Sequence, residues 1–367
     1  MVDVVWSWRR ASRAGLALVT VLLLVTVGWT GAAAQPRAAA AGVQPATVMT
    51  RNLYLGADLT PLFAAQTPAE LVAAATAVWQ QVLASDFPAR AEALADEVAE
   101  QQPLVIGLQE VSLWRTSDVP GQPAQAVALD FLDVYLDALA DEGLAYEPVA
   151  VVEAFDGQLT ALGPQGLFDV RLTDRDVILV RSDVPRALVE VLDTDSGLFD
   201  AALELPLLGQ TLRADRGWTS VDLRIRRQTV RIVNTHLEAF DPDEVIREAQ
   251  ARELVAGPLA TDLPLIVTGD FNSPAPGGRA YTTLLAAGLT DAWSVGGRGP
   301  GATCCQAADL RNPVSVLDTR IDLVLVRGPL RVRRAGLLGE DPADRTASGL
   351  WPSDHAGVAA EITVLGR

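Results

Sequence analysis

Short apolar runs alternate with longer amphipathic stretches along most of the 367 residues, and no other feature restricts the fold as much. Ala46–Thr50, Leu104–Leu108, Val177–Val180, Val230–Thr235, Leu265–Thr268, Ile321–Val326 and Val358–Val364 are mostly rich in Val, Ile and Leu. They are also of strand length, so they predict buried strands. Arg216–Arg226 and Gln228–His236 predict a hairpin with Arg226-Arg227 at its tip, because Val221, Leu223 and Ile225 alternate with polar residues. Helices are expected between the runs. Thr67-Pro68-Ala69-Glu70 opens one, with a threonine cap, proline at the first helical position and an acid in the first turn. Phe87–Gln101, Ala124–Glu142 and Pro242–Leu259 follow, the last with Asp241 as its N-cap. Segments 112–123, 155–175 and 291–313 are polar, Gly/Pro-rich or irregular and predict loops. Strands and helices therefore alternate, and the fold class is α/β or α+β.

The chain start and the composition add limits. Arg9, Arg10 and Arg13 precede the apolar run Ala14–Trp29, and Ala32-Ala33-Ala34 fits a small-x-small cleavage site. Residues 1–34 thus predict a secretory signal peptide, 35–45 a flexible lead-in, and 46–367 one domain undivided by a long linker. The expected location is extracellular. The run is short against the roughly 20 residues of a spanning helix, and an uncleaved membrane anchor is the alternative. Arg9-Arg10 leaves Sec and twin-arginine export both open.

The formal charge is −17 and all 29 basic residues are arginine. Without lysine there is neither a Schiff-base nor a P-loop lysine. An acidic surface argues against tight, purely electrostatic binding of nucleic acid. A bound divalent cation supplies local positive charge, so nuclease chemistry stays open. Cys304 and Cys305 are the only cysteines. Adjacent Cα atoms lie about 3.8 Å apart, below the usual disulfide span, so a bridge would be strained. Free loop thiols and a vicinal disulfide both stand. No stretch marks a stable protein partner, and a monomer is expected.

Chemistry is concentrated where polar residues interrupt or end the apolar runs. Asn52 follows Val48-Met49-Thr50-Arg51, Gln109-Glu110 follows Leu104–Leu108, and His236 follows Val230–Thr235. Gly269-Asp270-Phe271-Asn272 follows Leu265–Thr268, and Ser353-Asp354-His355 precedes the last strand. Each has a bland reading: Asp and Asn after Gly form ordinary turns, and a lone His is more often structural. Asp322 is harder to dismiss, because a charge beside Ile321 and Leu323–Val326 is costly unless partnered. The set is stronger than its members, since both histidines of the chain belong to it. Ligand sites gather at strand ends in α/β folds.

Taken in order, Met49-Thr50-Arg51-Asn52, Leu108-Gln109-Glu110, Asn234-Thr235-His236-Leu237, Gly269–Asn272, Arg320-Ile321-Asp322 and Ser353-Asp354-His355 carry a resemblance. The sequence resembles the endonuclease/exonuclease/phosphatase superfamily over residues 46–360. The resemblance implies a DNase I-like four-layer sandwich, two mixed β-sheets face to face with helices outside. It implies Glu110 as principal metal ligand, helped by Asn52 and Asp354, with Mg²⁺ or Mn²⁺ suited to such oxygen donors. It implies that Asp270 and Asn272 position water and a phosphoryl oxygen. His355 would be general base or charged phosphate ligand, oriented by Asp322. His236 would bind phosphate or assist the leaving group, and Arg175 and Asp176 would lie on the phosphate side.

The expected activity is hydrolysis of a phosphodiester, nucleic acid or a lipid headgroup. A sphingomyelinase-like phospholipase C and a non-catalytic binding protein on the same fold are the alternatives. The spans Asn52–Glu110 and Glu110–Asp176 are long for the family, and no aromatic and basic cluster marks a DNA groove.

Overall fold

The computed structural model describes residues 45–365. The signal peptide and all but the last residue of the lead-in lie outside the described residues. Sixteen strands follow in order: β1 (Ala46–Asn52), β2 (Val105–Gln109), β3 (Leu113–Ser117), β4 (Ala126–Asp130), β5 (Tyr146–Gly163), β6 (Gly166–Arg181), β7 (Val189–Leu198), β8 (Leu203–Leu207), β9 (Gln210–Ala214), β10 (Gly217–Ile225), β11 (Gln228–His236), β12 (Leu265–Asp270), β13 (Thr290–Asp291), β14 (Asp322–Arg327), β15 (Leu330–Leu338) and β16 (Gly357–Val364). The helices are α1 (Thr60–Ala64), α2 (Pro68–Ala84), α3 (Phe87–Gln101), α4 (Phe131–Asp141), α5 (Val245–Ala256), α6 (Arg279–Ala286) and α7 (Ala292–Gly296).

One sheet has the order β15-β16-β1-β2-β6-β3-β4, with β5 also paired to β6; the second runs β13-β14-β12-β11-β10-β7. Both are mixed, because β1–β2 and β11–β12 are parallel while the other pairs are antiparallel. Strand alternation explains the layers. Val48, Val105, Ile178, Ile232, Ile266 and Val324 share the core between the sheets. Their neighbours Met49, Ile106 and Val177 pack under α2, α3 and α4. Val233, Val267 and Leu325 pack under α5 and α6. Strands covered on both faces read as unbroken apolar runs. Each fully buried aliphatic contributes about 1.5–3 kcal/mol. This is the DNase I-like sandwich that the resemblance implies.

Gly107 marks a close approach of the sheets near the polar end. A Cβ there would lie 2.2 Å from Thr268 Oγ1 and 2.4 Å from Asn234 Oδ1. Gln109 Nε2 donates to Asn234 Oδ1 at 2.6 Å, and Asn234 Nδ2 donates to the Leu108 carbonyl at 2.9 Å. Polar bonds thus tie the sheets together where the apolar core gives way to the cavity.

Local expectations divide. Thr67 caps α2 by accepting from Glu70 N, and α3 spans the expected residues. Asp241 accepts from the amides of Ile246 and Arg247 at the start of α5, from a position before the Glu244 N-cap. The expected helix Ala124–Glu142 is instead strand β4 followed by α4, with Asp130 capping it through Leu132 N. Pairing with β3 overrides local propensity there. The expected loop 155–175 is the distal part of the long β5–β6 ribbon. Much of β5 is only part-covered, so its sequence lacks a buried strand's apolar density.

Candidate active site

Strand direction brings the polar ends together. Asn52 is opposite Gln109 in the β1–β2 register, and His236 is opposite Asp270 in β11–β12. The antiparallel β14 begins there, with Asp322 opposite Asp270. Antiparallel β10 begins beside His236, with Gly217 opposite it. Strands approaching this end finish on a functional group, and strands leaving it start on one. Ser353 Oγ donates to the Asn52 carbonyl at 2.8 Å and accepts from His355 N at 3.1 Å, which holds Ser353–His355 against β1.

The resulting cavity of about 400 Å³ is lined by Glu110, Asp270, Asn272, Asp354, His236 and His355, among others. His355 Nδ1 lies 2.8 Å from Asp322 Oδ2 and 3.7 Å from Asp270 Oδ2. Burial alone would lower the pKa of this imidazole, but Asp322, Asp270 and Asp354 raise it well above the usual value. His236 is the opposite case. Arg216 Nη1 lies 3.2 Å from its Nδ1 and Asn272 Nδ2 lies 3.1 Å from its Nε2. Burial, then Arg216 and His355, lower its pKa well below the usual value. One imidazole is held charged and the other neutral.

Asp270 accepts from Asn272 N at 2.9 Å and from Asn52 Nδ2 at 3.0 Å. Burial and the Asp322 carboxylate raise its pKa to about 7. Burial raises Asp354 to about 6, with Glu110 adding to the rise. Asp174 reaches about 7 by burial and repulsion from Glu110. Asp176 is driven well above the usual range by burial and by Asp174, and neither of its carboxylate oxygens has a hydrogen-bond partner.

Glu110 has a left-handed backbone (φ 56°) that places its carboxylate against Leu55 N, at 2.6 Å. A non-glycine residue held in this region costs energy and is a mark of functional sites. Asn272 is also left-handed (φ 48°), a conformation Asn tolerates.

The donor set fits a hard divalent cation. Buried carboxylates crowd one another, and two orphaned oxygens of Asp176 lie among them; a bound cation relieves that repulsion. Ligand atoms of Asp270, Asp322 and His355 also lie within 4.8 Å of one another. Within that trio the Asp322–His355 contact also has the geometry by which a carboxylate orients an imidazole.

Two residues differ from their expected parts. Asn52 Oδ1 accepts from Tyr54 N at 2.9 Å while its amide nitrogen donates to Glu110 and Asp270. It braces those carboxylates, and its oxygen keeps one lone pair besides the Tyr54 bond. Arg175 turns away from the cavity: its guanidinium pairs with Asp130 and donates to the Val111 carbonyl. Successive residues of β6 face opposite sides, so Asp174 and Asp176 turn toward the site and Arg175 cannot.

Two residues escape sequence reasoning. Among the described residues Arg216 is the only arginine lining the cavity, held 3.7 Å from Asp174 and 3.5 Å from Glu238. Asp174 shares the period-two face of Asp176, the one signal that could have found it. Cys304 is bonded to Cys305, and Cys305 Sγ lies 3.8 Å from His355 Nε2 at the cavity wall.

Two mixed sheets face to face, with carboxylates and two opposed imidazoles at one end, define a DNase I-like phosphoesterase. The chain belongs to the Endonuclease/Exonuclease/phosphatase family, whose model matches residues 79–355, and it is a phosphoester-hydrolysing enzyme. Among solved structures it is similar to an endonuclease/exonuclease/phosphatase family protein from Leptotrichia buccalis C-1013-b, with 15% identity and a TM-score of 0.55 over 86% of this chain and 99% of that one. A mannosyl-6-phosphatase from Bacteroides thetaiotaomicron VPI-5482 gives 18% identity and a TM-score of 0.52, over 86% and 99%. The human Nocturnin catalytic domain with bound sulfate gives 18% and 0.50, over 88% and 95%. At such identities these likenesses speak for the fold. No curated protein matches the sequence.

Proposed function

We propose that this enzyme is a secreted, divalent-cation-dependent phosphodiesterase. The observation that carries the reading is the pairing of crowded carboxylates with one charged and one neutral imidazole in a single cavity. Glu110 and Asp354 would hold Mg²⁺ or Mn²⁺, with Asp176 behind them. The cation would neutralise phosphate charge and stabilise the leaving oxygen. Asp270 takes the proton from the attacking water, because a base works best with a pKa near the working pH. Asn272 fixes that carboxylate through its own amide. His355, oriented by Asp322, holds a phosphoryl oxygen as imidazolium; its charge makes it a poorer base than Asp270. His236 and Arg216 face the phosphate from the opposite wall. The protons of the network titrate together, so apparent values belong to the set.

Nucleic acid and a sphingomyelin-like lipid are the two phosphodiester classes to compare. The leader is the support for secretion, and mass spectrometry of the mature N-terminus tests it: a chain beginning near residue 35 supports cleavage, and an intact start supports an anchor. The activity is tested with bis(p-nitrophenyl) phosphate under Mg²⁺, Mn²⁺ and EDTA. Cation-dependent turnover that falls about 10²–10³-fold in His355→Ala supports the site. Turnover in EDTA, or an undiminished variant, sinks it.

A further inference from the structure

A second cavity of about 340 Å³ adjoins the first, and Leu59, Phe63, Phe155, Leu172 and Leu212 line both. Its size falls within the roughly 300–1,000 Å³ of small-molecule sites. No charged residue lines it. Its further walls are Leu62 of α1, Leu71 and Val78 of α2, Trp114 of β3 and Leu207 of β8.

One wall is unlike the rest of the fold. Strands β8 and β9 pair only with each other and join neither large sheet. Their turn, Leu208-Gly209, has positive φ at both residues, as a two-residue hairpin requires. Leu203, Leu205 and Leu207 alternate with exposed Glu204 and Pro206, giving the arm one apolar face. A lone two-stranded hairpin is marginal in water and needs that face covered. The Leu208 side chain at the tip remains 37% exposed.

Charge narrows the occupant. The adjoining phosphate cavity is lined by Asp58, Glu110, Asp174, Asp215, Asp270 and Asp354 against Arg216 and the imidazoles of His236 and His355. Such walls suit one phosphate bridged by a cation and repel the further phosphates of a polyanion. The groove continues directly from the phosphate site and is mainly apolar, with Gln158 and Gln210 as its polar side chains.

We propose that the groove is a hydrocarbon subsite, which holds one alkyl or acyl chain of an amphiphilic phosphodiester while the neighbouring carboxylate cavity holds its phosphate. This deepens the phosphodiesterase reading and rests on it. The β8–β9 arm closes over the chain, and Leu207 and Leu212 are the specificity-determining contacts.

The test uses methyl, butyl and octyl p-nitrophenyl phosphates, each below its aggregation concentration, with Mg²⁺. The octyl-to-methyl ratio of kcat/KM should exceed about 100, since each newly buried methylene is worth up to roughly fourfold. Leu207→Gln and Leu71→Gln should each cut that ratio at least tenfold. A variant that merely folds less well lowers both esters together and leaves the ratio alone. A ratio near one in the unmodified enzyme, or one that both variants preserve, overturns the subsite. So does a single-stranded oligonucleotide cleaved faster than the octyl ester. Failure of the methyl ester would instead count against the phosphodiesterase reading. Calorimetric titration with octyl phosphate then decides the groove alone: binding weakened by Leu207→Gln supports it, and no binding overturns it.

Discussion

Arg51 and Asn52 are neighbours in β1, yet they enter regions that treat buried charge in opposite ways. On the helix side, Arg51 Nη2 meets Glu97 at 2.8 Å, and its Nη1 donates to the His355 carbonyl. Nearby Arg90 donates to the carbonyls of Leu53, Tyr54, Ser85 and Pro352, two of which lie in the loops that carry the site. Arg51 has Glu97 as its counter-charge, and Arg90 is held by backbone carbonyls alone. On the cavity side, Asp174, Asp176 and Asp270 are buried and Asp354 is part-buried, all with raised pKa values and one arginine beside them. The difference teaches that buried charge alone does not mark a site. Like charges buried side by side, as Asp174 and Asp176 are, do.

The largest expected effect breaks the closed region. Arg51→Ala leaves Glu97 buried without its partner and should cost about 3–5 kcal/mol of stability in urea unfolding. A loss under about 1 kcal/mol would mean that the pair is not sealed from water.

The second effect sharpens the contrast from the open side. Mg²⁺ at a hundred times its dissociation constant should stabilise the fold by about 2.7 kcal/mol. Glu110→Gln should weaken that gain and Glu97→Gln should not. Equal gains in the two variants would place the cation elsewhere.

The smallest effect is a pH slope. Burial outweighs the Arg51 pairing and raises Glu97 from 4.5 to about 7. A raised folded pKa means that the unfolded chain gives up its proton first. The stabilising contribution is therefore complete below about pH 4.5 and is lost as pH rises through about 7. Asp270 and Asp354 add slopes of the same sign, ending near 7 and 6. Saturating Mg²⁺ should flatten the cavity part and leave the Glu97 part. Glu97→Gln should do the reverse, read as urea midpoints from pH 4.5 to 8.

Much of the site was legible because its residues interrupt strong local patterns. Asp322 stood out as a charge in an apolar run, and the structure sets it 2.8 Å from His355. Asn52 was legible as a site residue but not in its part, since the direction of its amide depends on Tyr54 N. Arg175 was misplaced because its strand face was not fixed until β6 had paired with β2 and β3. Arg216 was legible only as the start of the expected hairpin with Gln228–His236, because the meeting of its guanidinium with His236 depends on side-chain packing around the cavity.

By itself, then, the sequence determined the apolar runs, their polar ends and the family, all properties of short segments in chain order. Only the tertiary structure decided which carboxylates crowd together, which imidazole is charged, and that an apolar groove opens beside the phosphate cavity. Those depend on strand register and on side chains from α1, α2, β3 and the β8–β9 arm meeting in space. No local periodicity encodes such meetings, because the contacts join separate elements of the chain.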